Sequence, residues 1–92
     1  MTRHIPRKDR WSRHGPNEYR SAQGRVYYRA GQWRALLIYR VVDLARFEPG
    51  EPQTWEASSF KRPRNAMIAL EDKVMELQRR HGEQVVFLET GG

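Results

Sequence analysis

Arg25, Arg29, Arg34 and Arg40 punctuate the stretch "GRVYYRAGQWRALLIYR", residues 24–40, which is otherwise rich in aromatic and aliphatic residues. A guanidinium keeps its charge at any physiological pH and presents a planar fork of N–H donors that matches phosphates and base edges. Side chains an even number of residues apart on an extended chain point to the same side. A sheet that only covers a core needs no such row, whereas one that meets an anionic partner does. "KRPR", residues 61–64, adds Lys61, Arg62 and Arg64 ahead of a helix, at the end where the dipole disfavours cations and favours an anion. Tyr27 alternates with Arg25 and Arg29 and is a stacking candidate for a base. Trp11 stands in a basic, irregular stretch and reads as an anchor for a partner.

Other chemistries lack their residues. There is no cysteine, so disulfides, thiolate metal sites and cysteine nucleophiles are excluded. His4, His14 and His81 have no spacing that suits a metal. No Gly-rich phosphate loop is present, and no nucleophile has a base nearby in sequence. Glu71, Asp72 and Glu76 read as a solvated helix face. No cofactor is implied.

The elements that must position the arginines are legible from patterning. "RVYYRA" and "QWRALLIYRVV" read as two strands joined by a tight turn at "AGQ". In the second, alternation places Trp33, Ala35, Leu37, Tyr39 and Val41 on a core side and Arg34, Leu36, Ile38 and Arg40 on the other. "ARFEPGEPQ" reads as an acidic loop, broken by two prolines and a glycine. "TWEASSF" is a short third strand with Trp55 and Ala57 on one side. "RPRNAMIALEDKVMELQRRHG" predicts a helix, with Pro63 in its first turn and Met67, Leu70, Val74 and Leu77 at helical spacing. Arg79, Arg80 and His81 suit its last turn, and Gly82 stops it. "QVVFLE" is a candidate fourth strand. The expected fold is α+β: a three-stranded antiparallel sheet packed on one C-terminal helix.

Residues 1–22 show no helical or strand period. They carry Arg3, Arg7, Lys8, Arg10, Arg13 and Arg20 against Asp9 and Glu18. They read as a disordered or extended basic arm, with Arg7, Lys8, Arg10, Trp11 and Arg13 as its contacts, and residues 23–90 as one small domain.

The chain of 92 residues has room for one small core. Its net charge is +6, and arginine outnumbers lysine, which occurs only at Lys8, Lys61 and Lys73. That balance favours nucleic acid, an acidic protein or an anionic surface as partner. The codon bias of a GC-rich genome would give the same preference for arginine. No apolar run approaches the roughly 20 residues that span a bilayer. The basic N-terminus lacks the apolar stretch of a signal peptide. The expectation is a cytoplasmic protein with no membrane partner.

"FKRPRNAMIAL" resembles the strand-to-helix junction of the AP2 and integrase-arm class of DNA-binding domains, with Phe60, Ala66 and Ala69 at the matching positions. "QWRALLI" resembles the second strand of that class, with Trp33 and Ala35 facing the helix, and "TWEASSF" resembles the third. The resemblance spans roughly residues 25–80. It implies that the sheet face away from the helix enters a major groove, with Arg25, Tyr27, Arg29, Arg34, Arg40 and Thr54 in contact. The chain departs from the class at Leu36 and Ile38, where polar or charged groups are usual, and at Glu56, where an aromatic would help. Leu36 and Ile38 either touch thymine methyls or are covered by the fourth strand, the arm or a second subunit.

A second resemblance concerns catalysis. "WRALLIYRV" followed by "SSFKRPR" is similar to the central strands of RelE-type ribonuclease toxins, which would give Arg34, Arg40, Lys61 and Arg62 a phosphate to hold. That family opens with two helices, for which residues 1–22 have no pattern.

These readings converge on a non-catalytic nucleic-acid-binding protein, with double-stranded DNA ahead of RNA. Its contacts would be Arg25, Tyr27, Arg29, Arg34, Arg40, Lys61, Arg62 and Arg64. The alternatives are a small protein-binding module, antitoxin-like or an inhibitor from a mobile element, using Leu36 and Ile38 toward a protein partner or in a homodimer, and a RelE-like ribonuclease.

Overall fold

The computed structural model describes residues 10–89. Seven strand segments form an antiparallel sheet, and one helix packs across a single face of it. The strands are β1 (Ser12–Arg13), β2 (Glu18–Arg20), β3 (Gly24–Arg29), β4 (Gln32–Asp43), β5 (Glu48–Pro49), β6 (Gln53–Phe60) and β7 (Val85–Leu88). The helix α1 covers Pro63–His81, and a 3-10 turn at Gly82–Gln84 leads from it into β7.

β4 is the spine. Its strict alternation drives Trp33, Ala35 and Leu37 into the core while Arg34, Leu36 and Ile38 face the other way. β3 pairs with its first half, from Arg29 opposite Gln32 to Gly24 opposite Leu37. Ala30 and Gly31, both at positive φ, make the two-residue turn expected at "AGQ". β6 pairs along the opposite edge, with Leu36 facing Glu56 and Ile38 facing Thr54. An extra residue in β6 near Ser59, itself at positive φ, shifts the register between Trp33 and Ala35.

α1 supplies the second layer. Pro63 sits at its start, where a missing N–H costs nothing, and Gly82 at φ 60° ends it. Ala66, Leu70, Val74 and Leu77 form its buried stripe, against Val26, Trp33, Ala35 and Leu37 of the sheet. Full burial of side chains such as Leu37, Leu70 and Leu77 stabilises the fold by about 1.5–3 kcal/mol each. Gly24 lets the layers close, because a Cβ there would stand 2.6 Å from the Leu36 carbonyl oxygen and 2.9 Å from Leu70 Cδ1.

Several expectations change. The sheet has more than three strands. Residues 12–20, read as part of an arm, instead form β1 and β2, with Tyr19 opposite Val26 at the core. Strands this short carry too few residues to display a period. Trp11 does not wait for a partner: it packs against the core, and its indole N–H donates to Glu71 Oε2 at 2.9 Å. Glu71 is thereby more than part of a solvated face. The stretch read as a loop contains β5, which pairs Pro49 with Val42 and Glu48 with Asp43, so the β4 hairpin continues to its tip. Phe47 sits at that tip, 88% exposed and at positive φ.

"QVVFLE" does yield a strand, paired within the chain: Ile38 faces Leu88 and Arg40 faces Val86. β7 therefore lies beside Ile38 on the sheet, not over it, and does not cover the Leu36–Ile38 pair.

Candidate functional site

The face of the sheet turned away from α1 is open among the described residues. Register puts Glu18, Arg20, Arg25, Tyr27, Arg29, Arg34, Leu36, Ile38, Arg40, Thr54, Glu56, Val86 and Leu88 on it. Five arginines thus stand against two carboxylates. The structure confirms the shared face expected for Arg25, Tyr27, Arg29, Arg34, Arg40 and Thr54.

The arginines fall into two groups. Arg20 and Arg25 lie directly opposite each other on β2 and β3, a like-charge pairing that costs stability when left alone. Glu18 offsets it. Its Oε2 accepts from Arg20 Nε at 2.8 Å and from Arg25 Nη1 at 3.4 Å. The Arg20 hydrogen bond, joined by the charge of both guanidiniums, holds the Glu18 carboxyl below the usual carboxylate range despite an opposing effect of burial. The Arg25 guanidinium also lies 5.0 Å from the centre of the Tyr27 ring. Tyr27 donates its hydroxyl to Glu56 Oε1 at 3.0 Å. Burial, and then that bond to a carboxylate, push its phenol above the ordinary tyrosine value. Tyr27 is therefore a member of a fixed network, and one side of its ring is already taken by Arg25.

Arg34 and Arg40 have no such partner among the described residues. Both are half-buried, and in each the Nε is shut away from solvent without a hydrogen bond, as it also is in Arg25. Their stems are held by the strand and its neighbours while their charge is uncompensated. Between them on the same row lie Leu36 and Ile38. Leu88 flanks Ile38, and Val86, 44% exposed, flanks Arg40. An apolar strip thus separates two free cations. Its β7 members were invisible to sequence patterning, since pairing between residues some 50 apart leaves no local trace.

Lys61, Arg62 and Arg64 are exposed around the start of α1, just past the pairing of Phe60 with Trp33. The helix has no side-chain cap and no acidic residue in its first turn. This cluster belongs to the Arg29–Arg34 end of the sheet. Arg40 lies seven residues further along β4 than Trp33, roughly 23 Å at strand spacing. The four residues of the ribonuclease reading, Arg34, Arg40, Lys61 and Arg62, are therefore not gathered around one phosphate.

Arg10 and Arg13 are exposed at the opposite margin, and Arg13 Nε donates to the Gly15 carbonyl at 3.1 Å. Arg7 and Lys8 lie outside the described residues. Of the positions matched to the AP2 class, Trp33, Ala35 and Ala66 are buried, Phe60 packs partly on the core and Ala69 is half-buried. Among the described residues no group of three His, Asp or Glu side chains is placed to hold a metal, and no helix is long and apolar enough to cross a membrane. Compared with protein-family models, curated proteins and solved structures, the chain finds no match.

Proposed function

We propose that the open sheet face binds nucleic acid, with duplex DNA as the favoured form, and that it does so without catalysis. One observation carries the reading: Arg34 and Arg40 stand on a face that is open among the described residues, with no ion pair to a carboxylate there and with buried, unpaired Nε atoms. Buried donors without acceptors and charges without counter-charges are both costly. Phosphate oxygens would supply the missing counter-charge at the guanidinium ends. Lys61, Arg62 and Arg64 extend the positive field past the end of the sheet, where the uncapped N–H groups of α1 add to the attraction. Arg29 belongs to the same end. Arg20 and Arg25 contribute less, because Glu18 already holds them.

The test is fluorescence anisotropy of labelled duplex DNA, single-stranded DNA and duplex RNA over a salt series. Each phosphate contacted contributes a log–log slope of about −0.9 on duplex DNA. The double variant Arg34→Ala, Arg40→Ala is expected to flatten that slope by about 1.8 while leaving thermal stability nearly unchanged. An unchanged slope would remove these two residues from the interface. Weak binding of all three probes, gone at physiological salt, would instead favour a protein partner on the apolar strip.

A further inference from the structure

We infer that the apolar strip between Arg34 and Arg40 recognises the 5-methyl groups of pyrimidines, thymine above all, on the floor of the DNA major groove. This rests on the nucleic-acid reading above and specifies what the same face reads. Arg34 and Arg40 are six residues apart on one strand, roughly 20 Å at strand spacing. A B-form major groove is about 12 Å wide between its phosphate rims. Two arginines whose backbones stand that far apart span the groove, one toward each rim, when the intervening strand lies across it. What then faces the base edges is Leu36, flanked by Arg25 and Glu56, and Ile38, flanked by Thr54 and Leu88.

This surface has few donors or acceptors with which to read bases. Thr54 offers one hydroxyl, and the polar groups that flank Leu36 are already engaged, Arg25 by Glu18 and Glu56 by Tyr27. Set against a groove floor, leucine and isoleucine leave base-edge donors and acceptors unpaired, which is unfavourable. The feature of the floor they fit is a methyl group, which only thymine among the standard bases presents there. The face thus divides the work: the cations at its two ends hold the backbone, and the strip between them selects for methyl content. Uracil lacks the methyl, and the deep, narrow major groove of A-form RNA does not admit the strand. The strip accordingly favours DNA over RNA.

The experiment compares the full chain on two labelled duplexes of A·T pairs, identical except that one carries deoxyuridine in place of every thymidine. Charge and Watson–Crick pairing are unchanged, and only the methyl groups are removed. Burial of one methyl is worth about fourfold in affinity, so two seated methyls give on the order of tenfold. Wild type is expected to bind the deoxyuridine duplex that much more weakly. It is also expected to bind a G·C duplex more tightly once its cytosines carry 5-methyl groups. The double variant Leu36→Ser, Ile38→Ser is expected to lose the thymine preference and keep the salt slope. Equal affinity of wild type for both A·T duplexes, with salt-dependent binding intact, would overturn the inference and leave the interface standing. So would a thymine preference that survives in the variant. No binding to any duplex would overturn the interface itself.

Discussion

Leu36 and Leu37 are neighbours on β4 with the same side chain and opposite fates. Leu37 is fully buried beneath α1, between Leu70 and the rest of the core. Leu36 is half-buried on the open face, opposite Arg25 and Glu56. The same contrast runs along the first half of the strand, from Trp33 to Leu37. The inward row is apolar and closed, and its identities are set by packing. The outward row sets two aliphatics between two cations and is closed by nothing among the described residues. One strand therefore carries two separable instructions, one for folding and one for contact.

The sharpest way to break that comparison is to truncate both leucines. Leu37→Ala is expected to cost about 2–5 kcal/mol, from lost transfer energy and a cavity that α1 cannot collapse into. Leu36→Ala is expected to cost about 1 kcal/mol or less. Chemical denaturation of the two variants measures the difference, and equal costs would mean that the open face is covered in solution. Next in size is Gly24→Ala. The added Cβ meets backbone at Leu36 as well as the flexible end of Leu70. It should destabilise by about 1–3 kcal/mol through overpacking, read as a lower denaturation midpoint with an unchanged m-value.

The smallest effect belongs to Glu18→Gln. Glu18 has its carboxyl lowered in the fold, so its ion pairs contribute stability above the unfolded carboxylate range and lose it as pH falls through the lowered folded value. Because the partners are partly exposed, the contribution at neutral pH is below about 1 kcal/mol. Stability curves of wild type and Glu18→Gln should therefore converge in acid. A constant gap down to low pH would assign the effect to packing. In the same variant Arg20 and Arg25 are released, which should strengthen binding to anions and make the two groups of arginines more alike.

Much of this was readable before any coordinates. The alternation of residues 32–42 announces a half-buried strand, and from it the opposed rows of Trp33–Ala35–Leu37 and Arg34–Leu36–Ile38 follow directly. The period of Met67, Leu70, Val74 and Leu77 does the same for α1, although Ala66 and not Met67 completes the buried stripe. What escaped was whatever depends on pairing at a distance. β1 and β2 together have five residues, and of these only Tyr19 turns a large side chain to the core. β5 contains Pro49, which argues locally for a loop. Because β2 was hidden, so was Glu18, and with it the division of the arginines into compensated and free. Leu88 and Val86 could be assigned to a strand but not to a neighbour, so the length of the apolar strip was hidden too.

One edge of β4 passes from β3 to β7 between Leu37 and Ile38. No single strand bridges that point on this side of the sheet. The joint resembles two planks butted end to end against one beam. Only four residues of β7 hold the lower plank, so it can lift away while β3 stays in place. Amides of the β3 half should then exchange with solvent only through global unfolding, and those of β7 through a smaller, local opening. Each such opening carries Leu88 and Val86 away from Ile38 and Arg40, leaving the Arg34 end of the face intact while the Arg40 end loses its apolar flank.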